Sequence, residues 1–143
     1  MTQVAFHFNA PGKVAYACRL LRKATAGGKK VVATGEPALL RELDTALWTF
    51  SALDFLPHCR IEDASAGVLH NSPIVLAPSV SGVPHQEVLV NLGDTVPEGF
   101  EGFERVIEVV TTDEADRVIA RRRWKHYAAG GHAIVRHDLQ ENP

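Results

Sequence analysis

The segment VAFHFNAPGKVAYACRLLRKATAGGKKVVA, residues 4–33, reads in succession as strand, turn, helix, stop and strand. Residues 4–8 alternate apolar side chains and run into Asn9-Ala10-Pro11-Gly12, a turn signal. Over residues 13–26, Val14, Ala17, Cys18, Leu21 and Ala24 recur at helical spacing and form one apolar stripe. Gly27-Gly28 stops that helix, since glycine takes left-handed C-terminal geometry without steric cost. Lys29-Lys30 then leads into Val31-Val32-Ala33, a short buried strand.

The same alternation continues along the chain. Gly35-Glu36-Pro37 opens a second helix, with proline where its missing N–H costs nothing, and Leu39, Leu40, Leu43, Ala46 and Leu47 make its core face. Residues 50–63 read as a loop. Strands are expected at residues 74–77, 87–91 and 106–110, and a last helix over residues 111–129. Thr111 and Glu114 stand at capping-box spacing, the acids Asp113, Glu114 and Asp116 suit the positive end of the helix dipole, and Gly130-Gly131 ends it. Apolar strands alternating with helices predict an α/β fold, a largely parallel sheet covered on both faces, in a single domain over residues 1–143.

Composition excludes several function classes. Apolar residues make up 45% and charged residues 22%, as in ordinary globular proteins. No apolar run approaches the ~18 residues of a membrane span, and residues 1–9 lack a basic then apolar secretory pattern. Cys18 and Cys59 form neither a CxxC pair nor a disulfide framework, so a reducing cytoplasmic setting is expected. A formal net charge of −2 argues against coating nucleic acid with the whole surface.

No catalytic or cofactor motif emerges. The first strand-to-helix turn, Asn9 to Lys13, has neither GxGxxG nor GxxxxGK[ST], so it lacks the glycines that let amides approach phosphates. Gly27-Gly28-Lys29-Lys30 follows a helix instead of opening one, the wrong end for an anion. His126, His132 and His137 are not paired at metal-ligand spacing, and His58 and Cys59 diverge as neighbours. Cys18 sits in an apolar stripe, Ser79 and Ser81 have no GxSxG setting, and Asp44, Asp54 and Glu62 form no carboxylate pair. No catalytic residue, metal or cofactor is expected. The alternative to a binding role is a small-molecule or nucleotide-binding α/β enzyme using the crevice at the sheet's C-terminal edge.

Two surfaces call for explanation. On the last helix, Ala115, Val118 and Ile119 share one face, expected to meet the sheet. Arg117, Arg121 and Trp124 fall within an arc of about 60° on roughly the opposite side, with Lys125 flanking. One aromatic among three cations can grip a ligand that is anionic at one point and apolar at another, for instance an acidic peptide ending in an aromatic residue. Alternatively, Trp124 packs beneath residues 130–135 and the arginines are simply solvated. The other surface surrounds the end of the second helix, where Trp48 projects about 140° from the leucine stripe and Phe50, Phe55 and Leu56 follow. Such aromatic area suits a protein-binding patch, unless the following loop folds back over it.

These regions also carry a family likeness. Thr45-Ala46-Leu47-Trp48, Phe55-Leu56-Pro57-His58 and Arg121-Arg122-Arg123-Trp124-Lys125-His126-Tyr127, in this order and spacing, resemble the chi subunit family of the DNA polymerase III holoenzyme. Ala5-Phe6-His7-Phe8, Gly28-Lys29-Lys30-Val31 and Ala128-Ala129-Gly130 support the likeness, which runs through nearly all of the chain except residues 132–143. The resemblance implies a non-enzymatic adaptor of DNA replication with a three-layer α/β sandwich and a five-stranded parallel sheet. It implies a psi-subunit face that includes Trp48 and Phe55, tethering the chain to the clamp loader. It further implies a pocket at Arg117, Arg121, Trp124 and Lys125 for the acidic, phenylalanine-ended tail of single-stranded-DNA-binding protein, with DNA contact mostly indirect. Trp124 stands where some relatives have tyrosine, and Arg117 where lysine can occur.

Overall fold

The computed structural model describes residues 2–49 and 56–140. Its strands are β1 (Gln3–Ala10), β2 (Val31–Thr34), β3 (His58–Arg60), β4 (Ile74–Leu76), β5 (Val88–Asn91), β6 (Arg105–Thr111) and β7 (Ile134–Asp138). The helices are α1 (Lys13–Ala26), α2 (Pro37–Thr49), the short α3 (Ala66–Asn71) and α4 (Glu114–Ala129). All strands pair in parallel, in the order β3-β4-β2-β5-β6-β1-β7.

Among the described residues the sheet therefore has seven strands where five were expected. Both additions are edges: β3, in the stretch read as loop, and β7, beyond the last helix. The five anticipated strands fill the centre, where parallel strands are buried on both faces and their apolar runs are unmistakable.

Alternation along the strands divides the core into two layers. On one face Val31, Ala33, Ile74, Leu76, Val88, Val90, Ile107 and Val109 pack beneath α1 and α2. On the other, Val4, Phe6, Val32, Val75, Leu89, Val106 and Val110 pack beneath α4 and the segment carrying Phe100 and Phe103. Helix α1 ends as expected, with Gly28 left-handed at φ 82° and the Lys29 amide donating to the Ala24 carbonyl at 3.1 Å.

Helix α4 departs from its expected orientation. Ala115 is exposed and Val118 is 41% exposed, while Ala120, Arg123 and Tyr127 are buried. The inward stripe contains a charged residue because the sheet supplies its partner. Glu108 alternates with Val106 and Val110 on the α4 face of β6 and is fully buried. Arg123 Nε donates to Glu108 Oε1 at 2.8 Å, Tyr127 Oη to Oε2 at 2.7 Å, and Asn91 Nδ2 to Oε2 at 2.9 Å. Asn91 reaches it because β5 and β6 place Asn91 and Glu108 directly opposite.

The start of α4 also differs. The helix begins at Glu114, and Asp116 takes the role expected of Glu114 by reaching back to the Thr111 amide (2.8 Å) and hydroxyl (3.1 Å). Lys13 Nζ lies 3.1 Å from the other Asp116 oxygen, tying the first turn of α1 to the first turn of α4. Partial burial alone would raise the Asp116 pKa, but the Thr111 hydrogen bonds and Lys13 hold it below the usual carboxylate range.

Candidate functional site: a cleft along the last helix

Three elements build the cleft from below. Phe6 on β1, Val110 on β6 and Ala120 on α4 give it an apolar floor of about 290 Å³ volume. Trp124 packs its ring 5.0 Å from that of Phe6 and is only half-buried, so one part of the indole belongs to the core and another to the cleft. At about 100° per residue, Trp124, Arg117 and Arg121 lie 40°, 60° and 100° around the helix from Ala120. The arc expected from spacing is intact, but it flanks the buried face instead of opposing it. That displacement makes a cleft out of what would otherwise be an open helix surface.

Arg117 and Arg121 form one bank, with side chains 47% and 62% exposed. Glu114 lies between them, its oxygens 3.8 Å from Arg117 Nη1 and 3.7 Å from Arg121 Nη1. Lys125 is exposed and does not line the cleft. It stands a further 40° around the helix from Arg121, beyond the bank. Arg123, quoted above beside Arg121 and Arg122, is spent inside the core on Glu108. The opposite bank is β7: Arg136 lines the cleft with its guanidinium carbon 5.2 Å from the centre of the Phe8 ring. The sequence reading missed Arg136 because β7 is an edge strand of mixed polarity.

The second surface is half visible. Trp48 is 57% exposed at the end of α2, with its ring 4.9 Å from that of His58 on β3. Leu56 is buried, and Phe50 and Phe55 lie outside the described residues.

The crevice at the C-terminal ends of β2, β4 and β5 has about 400 Å³, and its charged lining residues are Glu36, Asp94 and Glu98. Among the described residues three carboxylates and no cation line it, a setting that repels phosphate and speaks against a nucleotide at the usual place for this fold. A larger open hollow of about 890 Å³ at the strands' N-terminal ends mixes Lys23, Lys29 and Arg105 with Glu101 and Glu104. No helix is long and apolar enough to cross a membrane among the described residues.

Sheet and cleft together define a parallel α/β protein with a groove suited to a ligand that is anionic at its rim and apolar at its end. Residues 1–135 match the profile of the family described as DNA polymerase III chi subunit, HolC. The chain is 30% identical to DNA polymerase III subunit chi of Pseudomonas aeruginosa over 144 residues, which covers 97% of this chain and 98% of the relative. Similarity to the subunit chi of Haemophilus influenzae is 28% over 117 residues, and to that of Escherichia coli 26% over 116, each covering 80% of this chain. The chain belongs to the DNA polymerase III chi subunit family, a replication accessory subunit without catalytic activity of its own.

Proposed function

We propose that this chi-family chain is an adaptor that joins the clamp loader, through a psi subunit held at the Trp48 and Phe55 face, to the acidic C-terminal tail of single-stranded-DNA-binding protein. The convergence of Arg117, Arg121 and half-buried Trp124 over an apolar floor carries this reading. The tail's terminal phenylalanine lies on the apolar floor against the exposed part of Trp124, adding aromatic area to the ring contact already there. Its acidic residues meet the arginines, whose forked donors match carboxylates. With both arginines largely solvated, the charge contribution weakens as salt rises. Family membership supplies the replication setting, and the acidic lining of the alternative crevice favours this reading over a nucleotide enzyme.

Calorimetric titration with the tail peptide tests the cleft, and co-purification with psi tests the other face. Arg121→Ala is expected to lose tail binding strongly while keeping its melting temperature, and Trp48→Ala to lose psi while keeping the tail. Unchanged peptide affinity in Arg121→Ala would overturn the cleft assignment. A collapse of stability in Trp48→Ala would assign the indole to packing.

A further inference from the structure

We infer that β7 supplies the second jaw of the cleft, with Arg136 as the group that binds the peptide's terminal carboxylate. The inference rests on the peptide-binding reading above and adds a residue from the segment with least family likeness. Register settles which face Arg136 occupies. In the parallel β1–β7 ladder, Phe6 stands opposite Arg136 and Val4 opposite Ile134, so Ile134 and Arg136 share the α4 side of the sheet with Phe6. Ile134 packs against the core there, and Arg136 projects beside Phe8 at the cleft's outer edge.

Two observations favour Arg136 for the terminal carboxylate. Arg117 and Arg121 are both engaged by Glu114, whereas Arg136 has no ion pair among the described residues and has the Phe8 ring beside its guanidinium. A ring orients the guanidinium without neutralising it. In addition, the α-carboxylate is attached to the same residue whose side chain fills the floor. It must therefore emerge within a few ångströms of a bank, and on the β7 bank the Arg136 guanidinium is ion-paired with no acid among the described residues. Asp138, next on this face of β7, does not line the cleft; it accepts from Asn9 Nδ2 at 2.9 Å and the Gln140 amide at 3.0 Å. Lys125, outside the cleft, has no such part.

The test uses the full chain and an acidic peptide ending in phenylalanine, as free acid and as C-terminal amide. Arg136→Ala is expected to weaken the free acid about tenfold, the size of one charge-assisted contact. It should leave the amide's weaker binding unchanged, Arg136→Lys should fall between, and Lys125→Ala should bind as the parent does. Equal loss for acid and amide, or no loss, overturns the role of Arg136 while Arg121→Ala still loses both peptides. If Arg121→Ala also binds normally, the cleft reading itself fails. Melting curves of Arg136→Ala control for damage to the edge strand.

Discussion

Arg123 and Glu108 meet at 2.8 Å inside the protein, with side chains 2% and 0% exposed, where a helix and a strand are otherwise joined by apolar packing. Burial pushes the Glu108 carboxyl up, and Arg123, Asn91 and Tyr127 oppose that push by donating to it. The same burial, together with the neighbouring Glu108 charge, pushes the Tyr127 hydroxyl up, so it remains a donor. Arg123 Nη1 also donates to the Asp94 carbonyl at 3.2 Å, which extends the network from α4 to the loop after β5.

Removing either charge alone strands the other in the core. Arg123→Ala and Glu108→Ala are each expected to destabilise the fold by about 3–5 kcal/mol. The double variant Arg123→Met with Glu108→Leu should be far less damaged than the sum of the two single losses, because a buried pair is often replaceable by packed apolar groups. Urea unfolding checks this. Single losses below about 1 kcal/mol would mean the pair is effectively solvated.

That pair also marks where the sequence was legible and where it was not. Val31-Val32-Ala33, Ile74-Val75-Leu76 and Val106-Ile107 stand out because both sides of each strand face apolar layers. His58–Arg60 has three half-buried residues at one edge, and Ile134–Asp138 carries Arg136, His137 and Asp138 at the other. Neither shows a run that spacing can detect. The arc of Arg117, Arg121 and Trp124 was readable because helix geometry alone fixes it. Its relation to the sheet was not, because a hydrophobic stripe assigns Arg123 to solvent and nothing in α4 announces the carboxylate awaiting it on β6. Arg136 needed β7, and β7 needed the sheet.

A pH dependence follows from His7. Its pKa is pushed down to about 4, first by burial and then by His137 of β7, Arg105 of β6 and Lys23 of α1, and its Nδ1 is hydrogen-bonded with Tyr16 Oη. The unfolded chain binds a proton near pH 6.5, while the folded chain resists until about 4. Between these values the unfolded state holds more protons, so stability rises with pH there and is lost as pH falls from 6.5 towards 4. The melting temperature of the parent should drop between pH 7 and pH 5, and that of His7→Gln should drop less. Parallel curves would show that His7 titrates alike in both states.

Glu114 is the protein's own occupant of the cationic bank. Its carboxylate lies 3.7–3.8 Å from both Arg121 and Arg117, where the proposed acidic tail would place a carboxylate of its own. Binding must displace it, and it repels the incoming charge while it remains. An exposed pair contributes only about 0.2–1 kcal/mol, so the gain from removing it is limited. Glu114→Gln is expected to raise affinity for the acidic tail peptide about two- to fivefold at low salt, with the advantage shrinking as salt rises. Glutamine keeps the length and helix preference of the side chain. It gives up the favourable placement of a negative charge in the first turn of α4, worth about 0.3–1 kcal/mol, so a slightly lower melting temperature should accompany the tighter binding. Stability and affinity thus move in opposite directions. A variant that binds more weakly would show instead that Glu114 positions the arginines for the peptide and does not compete with it.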